Sequence, residues 1–150
     1  MLPTAPLRRA RLLLAGLWAA SAFAVAIGAS TLNAFMSDRA GFGQTVSVLF
    51  KGEAWIALAC AGAIYLLICA DRTLDHKGKR ALFILTIVGL IGVLGYFYIQ
   101  PMLAQLRATV PPGGVMAADV RQQFGMLHGV SLVLYLMQAV AAVVLVVKNR

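Results

Sequence analysis

Four long runs without a charged residue dominate the pattern of this chain. The runs that lack Lys, Arg, Asp and Glu cover residues 12–37, 54–70, 81–106 and 122–147. A helix needs about 20 apolar residues to cross a bilayer, because the hydrocarbon core offers no partners to unpaired backbone groups. The pattern therefore predicts an all-α fold: an integral membrane bundle of four transmembrane helices.

The runs and their flanking residues give the predicted bounds of a single domain at 12–147. Its helices are expected at about 12–36, 51–70, 81–105 and 120–147, between an N-terminal tail at 1–11 and a C-terminal end at 148–150. Pro101 should end or kink the third helix, because proline cannot donate the intrahelical hydrogen bond. Asp71 and Asp75 lie among basic residues, so the segment 71–80 is predicted to be a solvated loop.

Basic residues are divided unevenly between the two sides of this predicted bundle. Nine of the thirteen lie on the side of the termini: Arg8, Arg9, Arg11, Arg72, Lys77, Lys79, Arg80, Lys148 and Arg150. Four lie on the other side: Arg39, Lys51, Arg107 and Arg121. Cytoplasmic segments carry the excess of Lys and Arg. We therefore expect both termini to be cytoplasmic (N-in/C-in).

The first run could also be the apolar region of a cleaved signal peptide. Three arginines precede it, and Ala24-Val25-Ala26 could pass for a cleavage site. However, the run is much longer than the usual apolar region of about 7–15 residues. This length favours a first helix that is retained.

Composition narrows the class of protein. Hydrophobic residues make up 61% of the chain and charged residues 12%, against about 45–50% and about 25% in soluble domains. The net charge of +8 comes from basic residues at the ends of the apolar runs, not from a basic face with interleaved aromatic residues. Nucleic-acid binding is thus excluded, and the expected partners are the lipid bilayer and a second copy or another membrane protein.

Small residues at helical spacing predict close packing of the helices. Such residues let helix backbones approach each other in a membrane. They form one strip on the first helix, at Ala20, Ala24 and Gly28, and one on the third, at Gly89, Gly92 and Gly95.

Polar residues within the apolar runs indicate where a functional site could lie, because they are costly in lipid and usually face the bundle interior. On the fourth helix they follow steps of three, four and three, which gives one stripe: His128, Ser131, Tyr135 and Gln138. We predict a polar pocket open to the outer face, formed by His128, Ser131, Glu53, Asn33, Tyr98, Gln100 and Arg107.

Several interpretations of this pocket remain open. The residues could only hydrogen-bond the helices together, with Glu53 at headgroup level and paired with Lys51, Arg107 or Arg121. Alternatively, Glu53 and His128 could handle protons or ions. No cofactor is predicted as the leading interpretation. Copper or haem is an alternative, because Met102 and Met126 lie on the same side as His128, and thioether and imidazole ligands suit Cu(I).

Signatures of enzymes are absent from the sequence. It has no HExxH motif and no Ser-His-Asp order with supporting glycines. We therefore do not expect an enzyme.

Several ordered motifs resemble one known family. They are Ala40-Gly41, Leu49-Phe50, Tyr98 with Pro101, and the segment Phe124-Gly125-Met126-Leu127-His128-Gly129-Val130-Ser131. Over residues 12–147 the chain resembles the bacterial domain-of-unknown-function 4149 family, which is similar to eukaryotic transmembrane protein 205. It departs from that family at two places. Ser30-Thr31-Leu32 stands where the family often has a proline, and Tyr135 stands where it often has an asparagine.

The resemblance implies a four-helix membrane protein without an established activity, and we expect it in a bacterial inner membrane. The eukaryotic relatives are linked to resistance to platinum drugs, and the fold is distantly similar to copper-resistance D membrane proteins. By this resemblance His128, Ser131, Pro101, Gly41 and Arg107 are the residues to test. The leading functional hypothesis is binding or transport linked to metal or drug tolerance. The alternatives are a structural or accessory subunit, and a redox protein that binds haem or copper.

Overall fold

Four long α-helices build the whole structure, a computed structural model that describes residues 4–37, 39–111 and 114–150. They are α1 (Thr4–Phe35), α2 (Arg39–Ala70), α3 (His76–Ala108) and α4 (Ala118–Lys148). Each is long and apolar enough to span a membrane. At about 1.5 Å per residue the helices are some 45–50 Å long, so they extend beyond a hydrocarbon core of about 30 Å. The prediction of an all-α membrane bundle is confirmed.

The helices are arranged as a square in chain order. α1 packs on α2 and α4, and α3 packs on α2 and α4, so that α1 lies diagonally opposite α3. Both described termini lie at one end of the bundle with the loop 71–75, and we call this the termini end. The opposite end, which carries residues 36–37, 109–111 and 114–117, is called the far end.

α2 begins well before its predicted start near residue 51. The structure continues it back to Arg39, through a segment before the apolar run that contains the polar residues Gln44, Thr45, Ser47 and Lys51. Gln44 and Ser47 lie against an internal cavity. These polar side chains lower the mean hydropathy of the segment, although they face the cavity. A prediction from mean hydropathy therefore starts the helix too late. As a result Glu53 lies about 20 Å from the far end of α2 and about 25 Å from its other end.

α3 continues through Pro101 to Ala108. Of the two predicted effects of this proline, an end or a kink of the helix, the first is therefore wrong. At its other end, Asp75 caps α3 by accepting a hydrogen bond from the Gly78 backbone amide at 3.1 Å.

The buried core fills the half of the bundle next to the termini end. Its apolar members come from all four helices and include Trp18, Ile64, Leu82 and Leu145. Many large apolar side chains outside this core point away from the bundle. For example, Leu13 is 73% exposed and Leu66 is 68% exposed. An apolar exterior suits lipid and would be unfavourable in water, which agrees with a multi-pass membrane protein.

Close packing occurs on α3 but not on the α1 strip. A Cβ at Gly92 would lie 2.6 Å from the Leu134 carbonyl oxygen, so α3 and α4 approach backbone to backbone there. This confirms the prediction for α3. Ala20 and Ala24 are exposed, and a Cβ at Gly28 would meet nothing within 4 Å. The prediction that this strip packs inside the bundle was therefore wrong.

A buried ion pair ties the termini end together. Arg11 Nη1 lies 2.7 Å from Asp71 Oδ2, and Arg11 Nε donates to Asn149 Oδ1 at 2.9 Å. Asp71 Oδ1 accepts hydrogen bonds from the Thr73 amide and hydroxyl. Burial acts to raise the pKa of Asp71, but these hydrogen bonds and the Arg11 charge outweigh it and lower the pKa to about 2. The expectation of a solvated loop was wrong for Asp71, whereas Asp75 is exposed.

Candidate functional site

A large cavity occupies the half of the bundle next to the far end. Its volume is about 920 Å³, and its walls come from α2, α3, α4 and the segment that joins α3 to α4. No described residue of α1 lines it. The core and the cavity thus divide the bundle into a closed half and an open half.

Aromatic rings form much of the cavity wall. The five rings belong to Phe42, Phe50, Tyr96, Phe124 and Tyr135. The rings of Phe50 and Tyr135 meet edge to face, with centroids 5.0 Å apart. The Tyr96 hydroxyl donates to the Ser47 carbonyl at 3.4 Å, and the Tyr135 hydroxyl donates to the Ala22 carbonyl. These bonds hold both phenol rings in place as parts of the wall.

A row of three side chains lies in the part of the cavity nearest the far end. The Arg107 guanidinium lies over the Phe124 ring, 5.3 Å from its centroid. On α4, Phe124 and His128 stack one turn apart, with centroids 6.1 Å apart and planes 6° from parallel. The row thus presents a guanidinium and an imidazole at the far end.

Gln138 forms the base of the cavity and connects it to a buried carboxylate. Its Nε2 donates to both oxygens of Glu53, at 3.3 and 3.1 Å. Its Oε1 accepts a hydrogen bond from Trp18 Nε1 at 3.4 Å. Glu53 is 3% exposed and Trp18 fully buried, so three helices contribute to one polar network near the middle of the bundle.

The close approach at Gly92 seals this base. A Cβ there would lie 2.9 Å from Gln138 Cβ as well as against the α4 backbone. Since only glycine leaves this room, α3 covers the Gln138 side chain and the cavity ends at this level.

The structure brings together part of the predicted pocket. Four of its residues line the cavity: His128, Ser131, Gln100 and Arg107. The whole α4 stripe does so too, since Tyr135 and Gln138 also line it. Two predicted residues lie elsewhere: Tyr98 is 74% exposed on the outside of α3, and Asn33 is exposed on α1.

Glu53 lies deeper than the headgroup level considered from sequence. Among the described residues there is one ion pair, and it joins Arg11 and Asp71. Glu53 therefore forms none in this part of the chain. Of the basic partners considered, Arg107 lies over Phe124 and Arg121 donates to the Met116 carbonyl.

The residues considered for a metal do not converge on the cavity. Met102 and Met126 are 38% and 58% exposed and are absent from its lining, whereas Met116 and His128 are part of it. Within residues 4–37, 39–111 and 114–150, no group of three His, Cys, Asp or Glu side chains could hold a metal ion.

Trp18 and Tyr96 are site residues that no pattern in the sequence indicated. Trp18 lies in the middle of an apolar run, 120 positions from its partner Gln138. Tyr96 resembles any aromatic residue of a membrane helix. The one part of this polar network that the sequence indicated was Gln138, through the helical spacing of polar residues on α4.

Comparisons with known proteins give one match. It is to a domain of unknown function, DUF4149, and covers residues 12–111, which comprise most of α1 and the whole of α2 and α3. The α4 segment around His128 lies outside this range. No curated protein and no solved structure matches the chain. Because the match covers more than half of the sequence, the chain belongs to the DUF4149 family.

Proposed function

We propose that this protein binds amphipathic small molecules in the cavity between α2, α3 and α4. The observation that carries the proposal is the cavity itself: about 920 Å³, walled by five aromatic rings and closed at its base by Gln138. Ligand sites in proteins are typically apolar cavities of about 300–1,000 Å³ with a few polar groups that orient the ligand. The volume and lining of this cavity fit that description.

The distribution of polar groups defines how such a ligand would be oriented. The aromatic wall suits an apolar body. Gln138 at the base and Arg107 with His128 near the far end offer hydrogen-bonding groups at the two ends of the cavity. A ligand with an apolar middle and polar termini therefore matches the cavity along its length.

The orientation of the protein in the membrane determines from which side a ligand would reach the cavity. The excess of basic residues at the termini end favours a cytoplasmic location of that end. With this orientation the far end and the part of the cavity next to it would face outward in a bacterial inner membrane. Binding on this side, or transport from it, would link the protein to tolerance of amphipathic compounds. For transport, the termini end would have to open in a second state.

Binding can be tested with 1-aminoanthracene, a neutral aromatic fluorophore, and the protein in lipid nanodiscs. We expect saturable fluorescence enhancement that a Ser131→Phe variant removes, because the new ring fills the cavity that Ser131 lines. Ser30→Phe is the matched control: Ser30 is exposed on α1 and does not line the cavity. Equal binding by the parent protein and Ser131→Phe would refute the proposal.

Two alternatives are tested by variants at His128 and Met116. A structural or accessory subunit predicts that His128→Ala lowers thermal stability or abundance while no probe binds at all. For copper, the observation in favour is that Met116 and His128 both line the cavity. A Cu(I) competition titration should then lose its stoichiometric site in both Met116→Leu and His128→Ala.

A further inference from the structure

Glu53 is a buried acid in the middle of the bundle without a basic partner. It is 3% exposed, and in the described part of the chain no Lys, Arg or His forms an ion pair with it. A carboxylate removed from water requires a compensating positive charge or a proton. Ionisable residues inside a membrane span commonly mark a ligand or ion pathway for this reason.

The hydrogen bonds around Glu53 have a defined direction. The Trp18 indole N–H can only donate, so the Gln138 oxygen must turn toward Trp18 and its NH₂ group toward Glu53. Both carboxylate oxygens then accept from Nε2, at 3.3 and 3.1 Å. This network supplies neutral donors to Glu53 but no positive charge.

The cavity reaches this network through one side chain. Gln138 lines the cavity base and at the same time covers Glu53. Rotation of its amide would expose the carboxylate to whatever occupies the base. The rings that precede it along the cavity, among them Phe50, Tyr96 and Tyr135, can stabilise a cation through their π-faces.

We propose that Glu53 is the counter-ion for lipophilic cations, so that the cavity selects molecules whose apolar body carries an ammonium or similar cationic group. This rests on the proposed function, because it names the ligand class of the same cavity. The bound cation replaces Gln138 beside the carboxylate, and Trp18 loses its acceptor.

The charged group that could oppose this selection lies at the other end of the cavity. Arg107 is exposed and is held over Phe124, which lies about 21 Å from Gln138 along α4. Its charge therefore lies toward the far end, on an exposed side chain, and is separated from the base by much of the length of the cavity.

The experiment uses two probes of equal shape and opposite charge, tetraphenylphosphonium and tetraphenylborate. Trp55→Phe leaves Trp18 as the one tryptophan of the chain, and its emission reports on the cavity base. Binding is measured in nanodiscs against free probe concentrations from equilibrium dialysis, after subtraction of uptake by empty nanodiscs.

We expect tetraphenylphosphonium to change the Trp18 emission with saturation. Glu53→Gln should weaken this binding about tenfold or more, which corresponds to about 1.4 kcal/mol, and should not weaken binding of tetraphenylborate. Glu53→Asp keeps the charge and should retain the preference for the cation. Asp119→Asn removes an exposed carboxylate on the same protein and should leave binding unchanged.

Unchanged tetraphenylphosphonium binding in a folded Glu53→Gln variant would overturn the proposal. So would tighter binding of tetraphenylborate than of tetraphenylphosphonium by the parent protein, which needs no variant at position 53. If Ser131→Phe abolishes binding while Glu53→Gln does not alter it, only the cation inference fails. If Ser131→Phe leaves the binding of every probe unchanged, the proposed function fails with it.

Discussion

Substitution of Asp71 by Asn should destabilise the termini end of the bundle. The side chain of Arg11 is 2% exposed and that of Asp71 3%, so the variant leaves a guanidinium buried without its counter-charge. Asn keeps the shape and an oxygen that can accept from Thr73, so the change isolates the loss of charge. Breaking a buried ion pair in this way costs about 3–5 kcal/mol. Because Arg11 keeps its hydrogen bond to Asn149, we expect about 3 kcal/mol.

The free energy of unfolding can be measured by SDS titration of the protein in mixed micelles, followed by circular dichroism. Asp119→Asn is the control, because its carboxylate is exposed in the first turn of α4 and should contribute only about 0.3–1 kcal/mol. A loss below about 1 kcal/mol in Asp71→Asn would show that the pair behaves like an exposed one, and the reasoning from burial would be refuted. A double variant with Arg11→Met should cost less than the sum of the single changes, because neither partner is then left alone.

The same pair predicts a pH dependence with a definite sign. The pKa of Asp71 is lowered from 3.8 to about 2 in the folded protein, so the folded state favours the ionised form. The stability that this group contributes is complete above about pH 4 and is lost as the pH falls toward 2. The difference in stability between the parent and Asp71→Asn should shrink over this interval. A constant difference down to pH 2 would contradict the assignment of the pair.

Two further substitutions test packing and capping. Gly92→Val should lower the free energy of unfolding in the same SDS titration by about 2 kcal/mol or more, because a Cβ there would lie 2.6 Å from the Leu134 carbonyl oxygen. Gly28→Val is the control and should change the free energy of unfolding little, because the space around Gly28 is open. Asp75→Ala should cost about 1 kcal/mol through loss of the cap on Gly78, visible as faster hydrogen exchange confined to the first turn of α3, and unaltered exchange there would count against the cap.

The candidate site was predictable where helical periodicity alone sets the direction of a side chain. His128 and Gln138 share a face of α4 because their spacing fits the helical repeat, and both line the cavity. Tyr98 was assigned to the pocket only because of its predicted depth in the membrane. It points outward, because the packing of α3 on α4 determines which side of α3 faces the interior. The depth of Glu53 was also misjudged, since it depends on where α2 begins.

The number of helices and their type followed from the sequence by itself, because lipid imposes a simple requirement. Any segment that crosses it must be apolar and must satisfy its own backbone, and four runs of this chain do so. Tertiary structure alone decided which polar residues meet. The partners of Gln138 are Trp18 and Glu53, and the partner of Asp71 is Arg11; each comes from another helix and lies at least 60 positions away. Such contacts depend on the rotation and relative height of packed helices, which no local pattern records.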